Sequence, residues 1–136
     1  MAVTYLAALK TARMQRTADH IASLTDATAT GSALTGTLVI GTSALSGATG
    51  VLATFTITTA VTSGVSGAVL TIPFSASSVT ASATGTAALA EIRNNAGTVI
   101  VSGLTVGTSG TDIVLNSTAI SSGQTVTISS ATITHG

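Results

Sequence analysis

The sequence predicts a mainly β protein, an antiparallel β-sandwich preceded by an N-terminal α-helix. From residue 35 onward Thr, Val, Ile and Ala predominate, and Gly and Ser cut them into short runs. Such runs are typical of strands that end at turns. No helical run of useful length separates them, so parallel βαβ units are not expected. The first 24 residues differ, because helix formers dominate there and neither Gly nor Pro occurs.

The composition changes near "TDATATGSALTG", which predicts a helix and linker over residues 1–30 and a β-domain over residues 31–136. The helix itself is expected over residues 3–24. Its larger apolar residues on one broad arc are Leu6, Leu9, Met14, Ile21 and Leu24. Lys10 and Arg13 fall inside that arc, so the amphipathic pattern is imperfect. Either these side chains bury their stems and expose their charged ends, or the helix lies on a partner surface that supplies carboxylates.

Seven strands are expected in the remainder of the chain. They are 36–42, 51–58, 67–74, 86–94, 98–104, 112–116 and 124–135. Their spacing suits a sandwich or a barrel. Pro73 lacks a backbone donor, so its strand should lie at an edge or end there. The "NNAG" stretch at 94–97 predicts a tight turn between two strands of a hairpin.

The stretch "TAALAEIRN" is ambiguous, because Ala and Leu favour a helix. Its brevity and the β pattern on both sides favour a strand. Glu91 and Arg93 then share one face and can pair, while Ala90 and Ile92 lie on the other face.

The last strand changes phase along its length. Val126 and Ile128 share a face, whereas Ile133 falls on the opposite one. One extra residue near Ser129–Ser130–Ala131 would restore the register, as in a β-bulge or a strand that bends from one sheet to the other. The hydroxyl-rich face of this strand is expected to be a contact or display surface, with His135 in the tail.

Charged residues make up only 6% of the chain, where about 25% is usual. No run approaches the roughly 20 apolar residues of a membrane span, and the many Val, Ile and Leu argue against disorder. A surface largely covered by other subunits explains the low charge best. The net charge of zero argues against nucleic-acid binding. A membrane-surface helix is also disfavoured, because the basic cluster is small and lacks Trp or Phe.

The inventory of reactive side chains is thin. The chain has no cysteine, so neither a disulfide framework nor a thiolate metal site is expected. The histidines are His20 and His135, and the carboxylates are Asp19, Asp26, Glu91 and Asp112. None forms a recognisable triad, carboxylate pair or metal cluster. We therefore expect no enzyme and no cofactor. The first 20 residues do not resemble a signal peptide, so synthesis in a cytoplasm without export is expected.

The C-terminal sequence "TVIVSGLTVGTSGTDIVLNSTAISSGQTVTISSATITHG" resembles a group of small tailed-phage virion proteins. These proteins pair a short N-terminal helix with a β-domain rich in Thr, Ala and Gly. The matching positions here are Thr108–Ser109–Gly110, Asp112, Leu115–Asn116, Thr118, Ile120, Gly123–Gln124–Thr125–Val126, Ser130 and Ile133–Thr134. The group has no defined site, so no functional residue carries over.

The resemblance implies a structural role in a virion and a jelly-roll-like β-domain. The leading hypothesis is a capsid decoration or cement protein that binds the major capsid protein. It is expected to act as a homo-oligomer, for which a trimer is one option. The residues expected to anchor it are Tyr5, Leu6, Leu9, Lys10, Arg13 and Arg16. A tail, neck or fibre component is the second hypothesis, and a receptor- or glycan-binding module is the third.

Overall fold

The computed structural model describes residues 6–22 and 35–134. These residues form one α-helix, one 3-10 helix and eleven strands. The elements are α1 (Ala7–Ile21), β1 (Gly36–Ser46), β2 (Thr49–Ile57), the 3-10 helix (Thr59–Ser63), β3 (Val65–Ser66), β4 (Val69–Thr71), β5 (Ser78–Thr80), β6 (Gly85–Thr86), β7 (Leu89–Arg93), β8 (Val99–Gly107), β9 (Ile113–Leu115), β10 (Ala119–Ile120) and β11 (Thr125–Thr134). The predictions for Tyr5, Leu24, Asp26, His135 and the boundary at residues 30 and 31 lie outside the described residues.

Most of the strands belong to one hydrogen-bonded sheet. Its order is β2-β1-β7-β8-β9-β11-β4-β3, and β5 pairs with the first part of β11. Neighbours along the path are antiparallel except β8 and β9, which are parallel. The short strands β6 and β10 form a separate pair.

The sheet curls so that β2, at one end of the strand order, meets the segments that follow β4 and β5. Backbone hydrogen bonds join Thr58 N to Pro73 O and Ser75 N to Thr56 O, both at 3.0 Å, and Ser82 N to Leu52 O at 2.8 Å. The result is a half-barrel whose two sides face each other across one core. This confirms the predicted fold class, a mainly β sandwich with an N-terminal helix.

The core is aliphatic with two aromatic rings. Phe55, Leu38, Ile40 and Ile92 are fully buried, and each side chain of this size stabilises the fold by about 1.5–3 kcal/mol. The rings of Phe55 and Phe74 lie 5.7 Å apart with their planes at 60°. A tilted pair of this kind contributes about 0.5–1.5 kcal/mol beyond its buried area.

Helix α1 packs across strands that are not neighbours in the sheet. Strands β9 and β11 stand between β8 and the β3–β4 hairpin in the strand order. The helix packs against β8, β3, β4 and the 3-10 helix. Its last turn also closes on β1, because a methyl group placed on Gly36 would lie 2.9 Å from the carbonyl oxygen of Ile21.

Only some of the apolar residues predicted to share one arc of the helix are buried. Met14 and Ile21 are buried, together with Ala18. Leu6 and Leu9 are instead exposed. Leu9 and Ala18 lie two and a half turns apart at about 3.6 residues per turn, so they point to opposite sides. The small Ala side chain lets the backbone approach the sheet, and this sets which side faces the core.

Six of the seven predicted strands correspond to β1, β2, β7, β8, β9 and β11, with shifts at their ends. The seventh, 67–74, is shorter than expected, because β4 ends at Thr71 before Pro73. This agrees with the strand end predicted from the proline. The "TAALAEIRN" stretch contains β7, so strand rather than helix is confirmed.

The turn at 94–97 joins β7 to β8 as an antiparallel hairpin, as predicted. The side-chain oxygen of Asn94 accepts the backbone N–H groups of Ala96 and Thr98, each at 3.0 Å. Gly97 has a φ of 86°, which suits glycine because it has no Cβ to clash.

Strand β11 contains the predicted bulge. Its pairing with β9 shifts between Ile128 and Ser130, so Ser129 has no opposite residue there. Val126, Ile128 and Ala131 are all buried as a consequence. The other edge of the strand pairs first with β5 and then with β4.

Candidate interaction surface

The first turn of α1 is exposed. Leu6 is 74% exposed and Leu9 is 41% exposed. Ala7 is exposed as well. It lies about three turns before Ala18, so the two residues are on the same side of the helix. That side faces the core at Ala18 but not at Ala7. The first turn is thus exposed on more than one side.

The basic residues of the helix lie in the first turn and in the turns that follow it. Leu9, Arg13 and Arg16 are spaced at intervals of four and three residues, which places them on one side. Lys10 lies one turn after Leu6. The guanidinium of Arg16 lies 3.5 Å from the carboxylate of Asp19, which also accepts a 3.0 Å hydrogen bond from Gln15 Nε2.

We refer to residues 6–16 as the basic helix end. It brings together all of the predicted anchoring residues that the structure describes: Leu6, Leu9, Lys10, Arg13 and Arg16. Tyr5 lies outside the described residues. Their role as anchors stays a prediction.

The tip of the β1–β2 hairpin is tied to the outer face of the sheet, which the sequence did not indicate. Arg93 Nε donates to Glu91 Oε1 at 2.8 Å, and a second guanidinium nitrogen donates to the same oxygen and, at 2.6 Å, to Gly47 O. Val39 lies opposite Glu91 on this face and is only 2% exposed. The pairing of Glu91 with Arg93 was predictable from their spacing, but the contact with Gly47 spans 46 residues.

Asp112 ties together the loop between β8 and β9. One of its carboxylate oxygens accepts the backbone N–H of Thr105 at 3.0 Å and the hydroxyl of the same residue at 2.9 Å. The Thr105 hydroxyl oxygen in turn accepts the backbone N–H of Asp112 at 3.1 Å. The carboxylate therefore holds a turn.

Hydroxyl groups lie along the outer side of the last strand. Thr125, Ser129, Ser130 and Thr134 are exposed there. The hydroxyl groups of Ser78 on β5 and Thr127 on β11 are 2.9 Å apart and hydrogen-bonded. A contact or display role for this face stays a prediction.

The described residues contain no group of three or more His, Cys, Asp or Glu side chains arranged to hold a metal ion. Residues 6–22 and 35–134 also form no detectable pocket. No helix in this part of the chain is long and apolar enough to cross a membrane.

No protein-family model, curated protein or solved structure matches this chain.

Proposed function

We propose that this chain is a structural protein of a phage virion, a capsid decoration protein that binds the outer shell as a homo-oligomer and stabilises it. The observation that carries the proposal is the basic helix end, which exposes Leu6 and Leu9 on a chain with only 6% charged residues. This combination supports a protein contact, because the buried centre of such contacts is apolar and arginine is enriched in them.

The physical demands of cementing suit such a molecule. A capsid shell presents many equivalent positions, so an oligomer that engages several at once multiplies a modest affinity for each. The hydroxyl-rich strands can form hydrogen bonds across an interface without the cost of burying charge. The partner proposed is the major capsid protein, and a trimer on a threefold axis is one arrangement that fits.

The anchoring residues divide into two roles. Leu6 and Leu9, with Tyr5, supply the apolar area that becomes buried on the shell. Lys10, Arg13 and Arg16 form the charged part of the contact, with Arg16 held by its own Asp19.

A binding assay on purified shells that lack the chain tests this proposal. Replacing Leu6 and Leu9 by Ser should lower the affinity by at least about thirtyfold, because about 2 kcal/mol of apolar burial is lost. Replacing Lys10, Arg13 and Arg16 by Ala should also lower occupancy.

Val99→Ser is the control. The exposed fraction of Val99 is 45%, similar to the 41% of Leu9, but Val99 lies on β8 and not on the helix. The control should bind like the wild-type chain. Unchanged occupancy of both helix variants would show that the assignment of the anchor is wrong.

A further inference from the structure

We draw no further inference here: the strongest candidate, the edge of strand β8 away from β7 over residues 99–104, where the described part of the chain forms no second strand pairing, is an unpartnered sheet edge, and nothing in the structure shows what covers it.

Discussion

At the scale of single residues, Arg93 ties two parts of the β-domain together. It joins Glu91 on its own strand to the carbonyl oxygen of Gly47 in the β1–β2 turn. The side chains of Arg93 and Glu91 are 19% and 10% exposed. A pair this well buried is costly to break, because the remaining charge stays in a poorly solvated place.

Arg93→Ala should lower the free energy of unfolding by about 2–4 kcal/mol, a value reduced from that of a fully buried pair because Arg93 retains some exposure. Denaturation by urea measures the loss. The double variant Glu91→Leu/Arg93→Met should recover much of it, because it removes both charges and keeps the apolar volume.

Arg16→Ala is the control for that measurement. Arg16 pairs with Asp19 at a longer distance of 3.5 Å, and its side chain is 36% exposed. Its loss should cost about 1 kcal/mol or less. A loss for Arg93→Ala no greater than that for Arg16→Ala would contradict the role given to Arg93.

At the scale of elements, the bulge in β11 decides which side chains enter the core. Ile128 and Ala131 are both buried although they lie three residues apart, which a regular strand does not allow. The extra residue is Ser129, which faces no residue of β9.

Deletion of one residue from β11 should therefore depend on its position. Without Ser129, Ile128 and Ala131 become two residues apart, so both still point inward. Without Thr127, Val126 moves to an outward position and a polar residue takes its place. We expect the Thr127 deletion to cost about 2 kcal/mol more in unfolding free energy than the Ser129 deletion. Urea denaturation of the two deletion variants measures this difference, and an equal or larger loss without Ser129 would contradict the assignment of the bulge.

Local patterns allowed much of the fold to be predicted. Alternation located the longer strands, and Pro73, the "NNAG" turn and the phase change near Ser129 each carried a local signal. Strands β3, β5, β6 and β10 were missed because they are two or three residues long. Strands β5, β6 and β10 also form only through pairing with distant segments. The pairing of Ser78–Thr80 with Thr125–Thr127 is such a case.

The candidate surface was predictable only in part. The helix and its cations follow from the sequence, but the exposure of Leu6 and Leu9 does not. It depends on which side of the helix faces the core, and Ala18 marks that side. A helical-wheel pattern based on the large apolar residues does not predict that the side carrying alanine faces the core.

At the scale of the whole molecule, charge is used mainly to hold the chain together. Every described carboxylate is hydrogen-bonded within the chain, as Asp19, Glu91 and Asp112 show. The strands of the β-domain point apolar side chains into the core and hydroxyl groups outward. The exposed side chains of Leu6 and Leu9 lie on the same helix as Lys10, Arg13 and Arg16, and the proposed contact with a partner is assigned to this helix.

The central claim is that this chain coats a capsid shell. A density map of virions assembled in cells that make this chain tests it most directly. We predict copies at symmetry-equivalent positions on the outer shell, with residues 6–16 against the major capsid protein. A map that places the chain only in the tail or neck, or a virion that contains none of it, would contradict the claim.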